Sequence, residues 1–424
     1  MTVPNKTLYA IASLAITLAG LVGYRAITTN ESAFLGIIGA DVNPPRNTVQ
    51  STAPDIAVLD QDPDKNLKSV KTKRVSGIEI SGIRSGKTAT LISMDTTIAN
   101  PEKSENFENA LLYGKFRVFY THQGEHALTD AYALDLNHNQ VPDAVEDILI
   151  EAISADALFT SIGFDLWNRA SRLYHYRKIA FIDLFITNNT RSAYYFGYLK
   201  SRNYKLITAH HLPTKNAILI RIEQSTRRLQ KTVTHELFHA YFRSVTRLNN
   251  SWLMEGSAVW VEYALAKGVG NAEVPLPQNL ESLERSVLDQ TYKASAFWNR
   301  ITSLCSRQKE IDLPKTIAAN ARYVRRDIPV FSDNRLEGAL FMKVLFDKLG
   351  AADKFVLQTE GADRGLHNTW DWNKQQRKSK KNNKFILTAL RDTIASECPM
   401  LNESLELQDF VKLLDSSPYL QWRD

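Results

Sequence analysis

The chain has 424 residues, a formal net charge of +6 and 44% hydrophobic residues, which is ordinary for a globular protein. It contains only two cysteines, too few for a fold framed by disulfides. Without its amino-terminal segment and linker, roughly 340 residues remain, enough for a two-lobed enzyme with a substantial core.

The amino end contains an apolar segment, residues 8–24, between Lys6 and Arg25. This segment is long for the core of a signal peptide and short for a membrane span. Residues 1–26 are therefore predicted to be an export signal that is either cleaved or kept as a membrane anchor, with a buried core helix as the alternative. Residues 27–75, rich in polar residues and proline, are predicted to be a flexible linker. The rest of the chain is expected to be secreted, periplasmic or anchored to the outer face of the membrane.

The segment from Gln224 to Tyr263 contains the motif H-E-x-x-H. Apolar residues at helical spacing predict a helix over residues 225–245. His235 and His239 are four residues apart, so they project from one face of this helix and can bind one Zn²⁺. Glu236 lies beside that metal and can take a proton from a zinc-bound water, whose pKa zinc lowers towards ~7.

A third ligand is expected from the next helix, because catalytic zinc usually has three protein ligands and one open position. After a short polar connection, residues 252–267 predict a second, antiparallel helix with Ser251 as its N-cap. Glu255 lies in its first turn and can face the histidines. Glu262, two turns on, is either the hydrogen-bond partner of a ligand histidine or an ordinary exposed glutamate. A chance match of the motif on an amphipathic helix is the alternative for the whole site.

The sequence H-E-L-F-H followed by W-L-M-E-G-S-A resembles the gluzincin pattern of thermolysin-like and aminopeptidase N-like zinc peptidases. The resemblance implies that His235, His239 and Glu255 bind zinc and that Glu236 is the general base. It also implies an α+β, zincin-like catalytic domain, with a small mixed sheet and the H-E-x-x-H helix in the amino lobe and a helical carboxyl lobe. The gap from His239 to Glu255 is shorter than in typical aminopeptidases, and no G-x-M-E-N stretch is present to hold a free amine. These departures favour an endopeptidase that acts on proteins or peptides.

A second candidate site is the sequence DLNHNQVPDAVE, residues 135–146. Its oxygen-bearing residues have the spacing of an EF-hand-type calcium loop, although Gln140 stands where that pattern has glycine. The alternative needs no metal, because the last four residues read D-x-x-E, a capping box for a helix over residues 144–159. A strand, this segment and a downstream H-E-x-x-H together resemble a group of predicted secreted bacterial zinc proteases. The candidate calcium ligands are Asp135, Asn137, Asn139, Val141 through its carbonyl, Asp143 and Glu146.

Alternating apolar residues elsewhere predict strands for the sheet of the amino lobe. The segment AILIRIE, residues 217–223, runs directly into the zinc helix. It is either an edge strand that pairs with an extended substrate backbone or an ordinary inner strand. The other predicted strands lie within residues 77–95, 116–121, 177–187 and 204–210.

Beyond Gly268 the apolar spacing is mostly helical, which is typical of a lobe that closes a cleft from the other side. Tyr263, Tyr292, Tyr323 and His367 are candidate donors to the oxyanion that develops during peptide hydrolysis, and the sequence does not choose among them. The predicted helices cover residues 280–289, 294–304, 318–325, 335–349, 385–396 and 405–414.

Two features of the carboxyl part leave alternatives open. The basic run at residues 373–384 is either a solvated loop or a surface for an anionic partner. No recognised nucleic-acid motif accompanies it, so no nucleic-acid partner is expected. Cys305 and Cys398 either form one disulfide after export or remain buried thiols.

Two functions are compatible with these patterns. The first is an exported zinc-dependent metallopeptidase, in which Glu236 activates the zinc-bound water and hands its proton to the leaving amine. The second is a non-catalytic cell-surface interaction protein that keeps a metallopeptidase-like fold. The predicted division of the chain is an amino-terminal part with the strands and the Asp/Asn-rich loop at residues 76–210, and a zinc metallopeptidase region at 211–424. In either case residues 8–24 are a candidate membrane anchor.

Overall fold

The structure is a computed structural model that describes residues 72–80, 82, 87–100, 105–167, 179–188, 194–199, 217–224, 229–262, 274–306, 311–312, 320–331, 335–363, 365 and 372–420. The predicted export segment and the predicted strand at 204–210 lie outside the described residues. None of the described helices is both long and apolar enough to span a bilayer.

A seven-stranded mixed sheet forms the amino-terminal half, in the order β1-β2-β3-β4-β5-β7-β6. Strands β1 to β4 are antiparallel to one another in sequence. Strand β5 is parallel to both β4 and β7, and β6 is antiparallel to β7 at the edge. The strands are β1 (Thr72–Ile78), β2 (Ala89–Asn100), β3 (Glu105–Tyr113), β4 (Phe116–Tyr120), β5 (Phe181–Thr187), β6 (Tyr194–Leu199) and β7 (Ala217–Glu223).

Strand β7 is an inner strand, so the alternative that AILIRIE forms the edge of the sheet is wrong. Every residue of β7 is buried, because β5 and β6 flank it and both of its faces are covered. The strand at the edge is β6, which the sequence did not predict. The predicted linker at 27–75 also extends too far, since β1 begins at Thr72, and the division at 210/211 falls inside this one sheet.

A buried ion pair fixes two neighbouring parallel strands. Arg117 of β4 stands opposite Asp183 of β5. The guanidinium donates from Nε and Nη2 to the two carboxylate oxygens, with both distances 2.6 Å. The arginine also lies over the ring of Phe181, 4.2 Å from its centroid. Because neither charge reaches solvent, each depends on the other for its stability.

Seven longer helices accompany the sheet in the part of the chain that the structure describes. Helix α1 connects β4 to β5 and packs on β4 and on α2. The mixture of one large sheet with helices is the predicted α+β class. The helices are α1 (Asp143–Ile162), α2 (Leu229–Val245), α3 (Ser251–Glu262), α4 (Ser295–Cys305), α5 (Ala339–Glu360), α6 (Asn383–Glu397) and α7 (Leu405–Ser416).

Shorter elements join these helices. Leu280–Leu283 is one α-helical turn that continues as a π-helix over Glu284–Leu288, and Tyr292–Ala294 is a 3₁₀ turn directly before α4. Two small ribbons pair Arg322–Tyr323 with Ile328–Pro329 and Ile311–Asp312 with Arg335–Leu336.

The predicted helix at 318–325 is wrong from Ala321 onward, where a short strand, Arg322–Tyr323, is followed by a turn. The amide of Arg322 donates to the carbonyl of Gly82, and the amide of Val324 donates to the Asp147 carboxylate on α1. These partners come from distant parts of the chain and replace the bonds that a helix would make. The helix predicted at 335–349 begins instead at Ala339 and extends to Glu360.

The basic run at 373–384 is not a loop, although most of its lysine side chains are exposed to solvent. It forms the short helices Lys374–Arg377 and Lys380–Asn382 and then enters α6. The side-chain amide of Asn250, before α3, donates to the carbonyl of Ser379 at 3.1 Å and to Asn383 Oδ1 at 2.7 Å. The run therefore packs against the start of α3.

Cys305, at the end of α4, and Cys398, directly after α6, are joined by a disulfide that closes a separation of 93 residues. The alternative of two buried thiols is therefore wrong. The disulfide links two helices of the carboxyl part that are distant in sequence.

We expect replacement of both cysteines by alanine to lower the free energy of unfolding by about 2–5 kcal/mol, because the cross-link limits the unfolded chain. Denaturant unfolding with and without reductant measures this. Reduction should lower the free energy of unfolding of the parent protein and leave that of the double variant unchanged. A parent protein that does not respond to reductant would contradict the expectation.

Candidate metal centre

A tight corner places α3 beside α2. After the last turn of α2, the carboxylate of Asp353 accepts hydrogen bonds from Thr246 Oγ1 at 2.8 Å and from the amide of Arg247 at 2.6 Å. The carbonyl of Asn250 then accepts the first amides of α3. Ser251 is therefore the first helical residue and not the N-cap, because Asn250 occupies that position.

Three side chains from these two helices converge at this corner. His235 and His239 project from one face of α2, with ring centroids 4.6 Å apart. Glu255 of α3 faces both rings, and its Oε2 atom lies 3.2 Å from Nε2 of each histidine. The ligand atoms of the three residues all lie within 4.8 Å of one another. Among the described residues this is the only group of three or more His, Cys, Asp or Glu side chains placed so closely.

The donor set fits zinc. Two imidazole nitrogens and one carboxylate oxygen are the ligands of many catalytic zinc sites. Bonds of about 2.0–2.1 Å in a tetrahedron place neighbouring ligand atoms about 3.3 Å apart. The two contacts that Glu255 makes with the histidines, at 3.2 Å each, have this length. Three ligands also leave a fourth position open.

Glu262 is not one of the three converging residues, but it contacts one of them, His235. Its Oε1 atom is 2.6 Å from His235 Nδ1, and the residue is 1% exposed, so it is not the exposed glutamate of the alternative interpretation. This contact directs the other ring nitrogen of His235 towards Glu255. That Glu262 supports a bound metal stays a prediction.

The charges of the group depend on one another. Burial lowers the pKa of His235, but its hydrogen bonds to Glu255 and Glu262 outweigh burial and raise that pKa well above its usual value. Burial raises the pKa of Glu255, but the two histidines hold it well below its usual range. Burial dominates at His239 and lowers its pKa.

Glu236 follows His235 on α2 and is 7% exposed. The sequence placed it beside the metal rather than on it, and it does not belong to the convergent ligand group. The negative charge of Glu236 affects Tyr292, which lies next to the group. The charge of Glu255 and burial raise the pKa of Tyr292 most, and the charge of Glu236 raises it further. Glu236 is thus a third carboxylate near the ligands, after Glu255 and Glu262.

Tyr292 is the only one of the four candidate donors that the described structure brings to this group. Its ring centroid lies 5.9 Å from that of His235. The hydroxyl of Tyr323 instead donates to Glu151 on α1 at 3.3 Å. Tyr263 and His367 lie outside the described residues. Sequence spacing alone could not choose, because Tyr292 lies 37 residues beyond Glu255 (292 − 255 = 37), the ligand nearest to it in sequence.

Glycine in W-L-M-E-G allows the approach of this tyrosine. A Cβ atom at Gly256 would lie 2.9 Å from the Cβ of Ala294 and 2.9 Å from the indole of Trp298. The 3₁₀ turn that contains Tyr292 therefore packs against α3 only because the helix has no side chain there. Trp252 also fixes this packing, since its ring stacks on that of Trp298 with centroids 5.5 Å apart.

Glu151 is a residue of the site region that the sequence did not reveal. It is fully buried in the middle of α1. Its Oε1 atom accepts hydrogen bonds from the amide and the hydroxyl of Thr234, each at 2.9 Å. Thr234 directly precedes His235, so α1 is tied to the helix turn that contains the ligands. No local pattern could have identified Glu151, because its partners are distant in sequence.

The candidate calcium segment lies at the start of α1. The predicted capping box is absent, because Asp143 is the first helical residue and Pro142 is the N-cap without a side-chain bond. The Asp143 carboxylate turns back and accepts a hydrogen bond from the amide of Leu136 at 3.2 Å. Gln140 adopts the left-handed conformation, with φ of 75°, at the position where the calcium pattern has glycine.

We expect Glu151→Gln to reduce the pH dependence of stability. Burial raises the pKa of Glu151 to about 8 from 4.5, so the folded protein keeps a proton that the unfolded chain loses. The stability from this proton is complete below pH about 4.5 and is lost as pH rises to about 8, at up to about 1.4 kcal/mol per pH unit. Glutamine keeps the acceptor for Thr234 without titrating.

Denaturant unfolding from pH about 5 to about 8 measures this slope. The exposed Glu281 supplies the matched control, because Glu281→Gln should leave the slope as it is in the parent protein. An equal slope in Glu151→Gln and the parent would contradict the expectation.

The chain matches no protein-family model, no curated protein and no solved structure. The chemistry of the site is therefore argued from its own residues. Two imidazoles and a carboxylate face one point, a second carboxylate supports one imidazole, and a third carboxylate and a tyrosine lie beside them. This arrangement is suited to hold a divalent metal and to move a proton next to it.

Proposed function

We propose that this chain is an exported zinc-dependent metallopeptidase that cleaves peptide bonds within proteins or peptides. The observation that supports the proposal most strongly is the convergence of His235, His239 and Glu255, with both Nε2 atoms 3.2 Å from one carboxylate oxygen. The three residues come from the two motifs that resemble the gluzincin pattern. The zincin-like form of the α+β fold is part of the same proposal.

The residues of the site divide the chemistry among them. Zinc, when bound by His235, His239 and Glu255, supplies a Lewis acid for the scissile carbonyl and makes water a better nucleophile near neutral pH. Glu236 accepts a proton from the attacking water and returns it to the leaving amine. Glu262 holds His235 in the tautomer that directs Nε2 towards the metal.

Tyr292 is the proposed donor to the oxyanion that develops on the scissile carbonyl. The charges of Glu255, Glu236 and Glu262, together with burial, raise its pKa, so the phenol keeps its proton. A protonated phenol beside the metal can donate a hydrogen bond to that oxygen. The placement of its ring 5.9 Å from the ring of His235 supports this role.

The edge of the sheet offers a place for an extended substrate. Strand β6 lies at the edge, antiparallel to β7 and near α2, and its outer side pairs with no other strand in the described part of the chain. Backbone groups of such a strand can pair with a peptide in extended form. Recognition through the backbone suits cleavage within a chain, which supports an endopeptidase.

The disulfide between Cys305 and Cys398 supports export, because such bonds persist in oxidising compartments. The apolar segment at residues 8–24 remains the proposed export signal or anchor. The competing function, a non-catalytic interaction protein with the same fold, does not require Glu236. Loss of an activity on changing Glu236 alone therefore separates the two functions.

We expect about one zinc per chain in the parent protein and in Glu236→Gln, and much less in Glu255→Ala, because only Glu255 of these two is a ligand. Peptide hydrolysis should fall about 10²–10⁴-fold in Glu236→Gln, since the general base is lost while the metal stays. Metal content by mass spectrometry and cleavage of an unfolded protein substrate measure the two effects.

The exposed residue Glu281 provides matched controls, Glu281→Ala and Glu281→Gln, which should keep both zinc and activity. A parent protein without zinc after incubation with the metal would refute the proposal. Zinc binding with no hydrolysis of any peptide would instead favour the non-catalytic function.

We expect Tyr292→Phe to lower kcat about 10²–10³-fold with little change in KM, because the hydroxyl acts on the oxyanion and not on the bound substrate. Tyr419→Phe is the matched control, since the Tyr419 hydroxyl donates to the exposed Glu284, at 3.0 Å, and not to a residue of the candidate metal centre. Steady-state kinetics on both variants test the role, and equal kcat values would contradict it.

A further inference from the structure

The segment at residues 135–146 has its polar side chains turned inward. Asp135, Asn137 and Asn139 are half-buried, whereas the residues that alternate with them are exposed. Leu136, in particular, is 65% exposed. A leucine in solvent between inward aspartate and asparagine side chains reverses the usual preference of these residues. The segment is therefore arranged to gather oxygen atoms on one side.

The backbone follows the same pattern. Gln140, the sixth residue of the segment, has a φ of 75°, and its amide donates to Asp135 Oδ2 at 2.9 Å. The sixth residue of an EF-hand-type loop is glycine, because the chain turns sharply there. This chain makes that turn although glutamine adopts the conformation less readily. The turn brings the first carboxylate back over the segment.

A buried carboxylate oxygen without a hydrogen-bond partner also indicates that this segment binds a ligand. Asp143 is fully buried, and its Oδ1 atom accepts the amide of Leu136, so the carboxylate faces the segment. Its Oδ2 atom has no hydrogen-bond partner among the described residues. Glu146, also fully buried, accepts a hydrogen bond from Asn137 Nδ2 at 2.7 Å.

These atoms suit a large, hard cation. Zinc is a poor match, because the set consists of oxygen atoms alone, whereas zinc favours imidazole and thiolate ligands. Calcium takes six to eight oxygen ligands at about 2.3–2.6 Å, and the ninth loop position often acts through a water. Asparagine oxygens at the third and fifth positions and a carbonyl at the seventh complete such a set.

We propose that residues 135–146 bind one Ca²⁺ ion, through the side chains of Asp135, Asn137, Asn139, Asp143 and Glu146 and the carbonyl of Val141. The ion joins the segment to the first turn of α1, the helix that carries Glu151 and its hydrogen bonds to Thr234. Calcium therefore holds the start of α1 and stabilises the fold. This inference does not depend on peptidase activity.

The test is calorimetric titration of the calcium-depleted full chain with CaCl₂, together with thermal unfolding. We expect one site with a Kd between about 10⁻⁵ and 10⁻³ M, and a Tm that rises with calcium. Asp135→Asn should weaken binding at least about tenfold, because it removes a ligand charge. Asn139→Asp should tighten binding by about threefold or more, since it adds a negative charge at a ligand position.

Two controls separate the site from other effects. Asp130→Asn removes an exposed charge just outside the segment and should bind calcium as the parent does. Glu255→Ala removes a proposed zinc ligand and should also respond to calcium as the parent does, so the two metal proposals can fail independently.

The inference is overturned by the absence of both heat and a Tm shift at about 10 mM calcium. It is also overturned if Mg²⁺ binds equally well, or if Asp130→Asn weakens binding as much as Asp135→Asn. If Asp135→Asn does not fold, the gain of affinity in Asn139→Asp decides, and an unchanged affinity there counts against the site.

Discussion

The buried carboxylate of Glu151 joins three parts of the molecule that are distant in sequence. It accepts two hydrogen bonds from Thr234 on α2 and one from Tyr323 on a ribbon of the carboxyl part, while α1 itself packs on the sheet. A fully buried carboxylate is stable only with such partners, so α1, α2 and the ribbon cannot move independently without cost. The position of His235, one residue from Thr234, depends on this connection.

Close packing around that connection determines the positions of Glu255 and Tyr292. Gly256 lets the turn with Tyr292 approach α3, and Trp252 stacks on Trp298 to hold α3 on α4. Glu255, between these two residues in sequence, is thereby held where one of its oxygens meets both histidines. The candidate metal centre is thus produced by the interface between α2, α3 and the helices after it, and not by the H-E-x-x-H turn alone.

Local patterns predicted what depends on local chemistry. The spacing of His235, His239 and Glu255 on two helices was sufficient to predict their convergence, and the apolar runs predicted β4, β5 and β7 but not β3 or β6. The sequence failed where distant partners decide. It could not show that β7 lies inside the sheet or that Tyr292 is the tyrosine near the histidines. Nor could it show that the helix ends before Ala321, because the amides of the next residues donate to Gly82 and Asp147 instead.

The ion pair between Arg117 and Asp183 has a consequence for folding. A shift of one residue between β4 and β5 would place Arg117 opposite Ile182 or Leu184 and leave two charges unpaired in the core. Misaligned sheets are therefore strongly disfavoured. Because α1 lies in the crossover between these strands, the same pair restricts the placement of α1. One charge pair in the sheet thereby restricts the alignment of the helix that contacts both candidate metal sites.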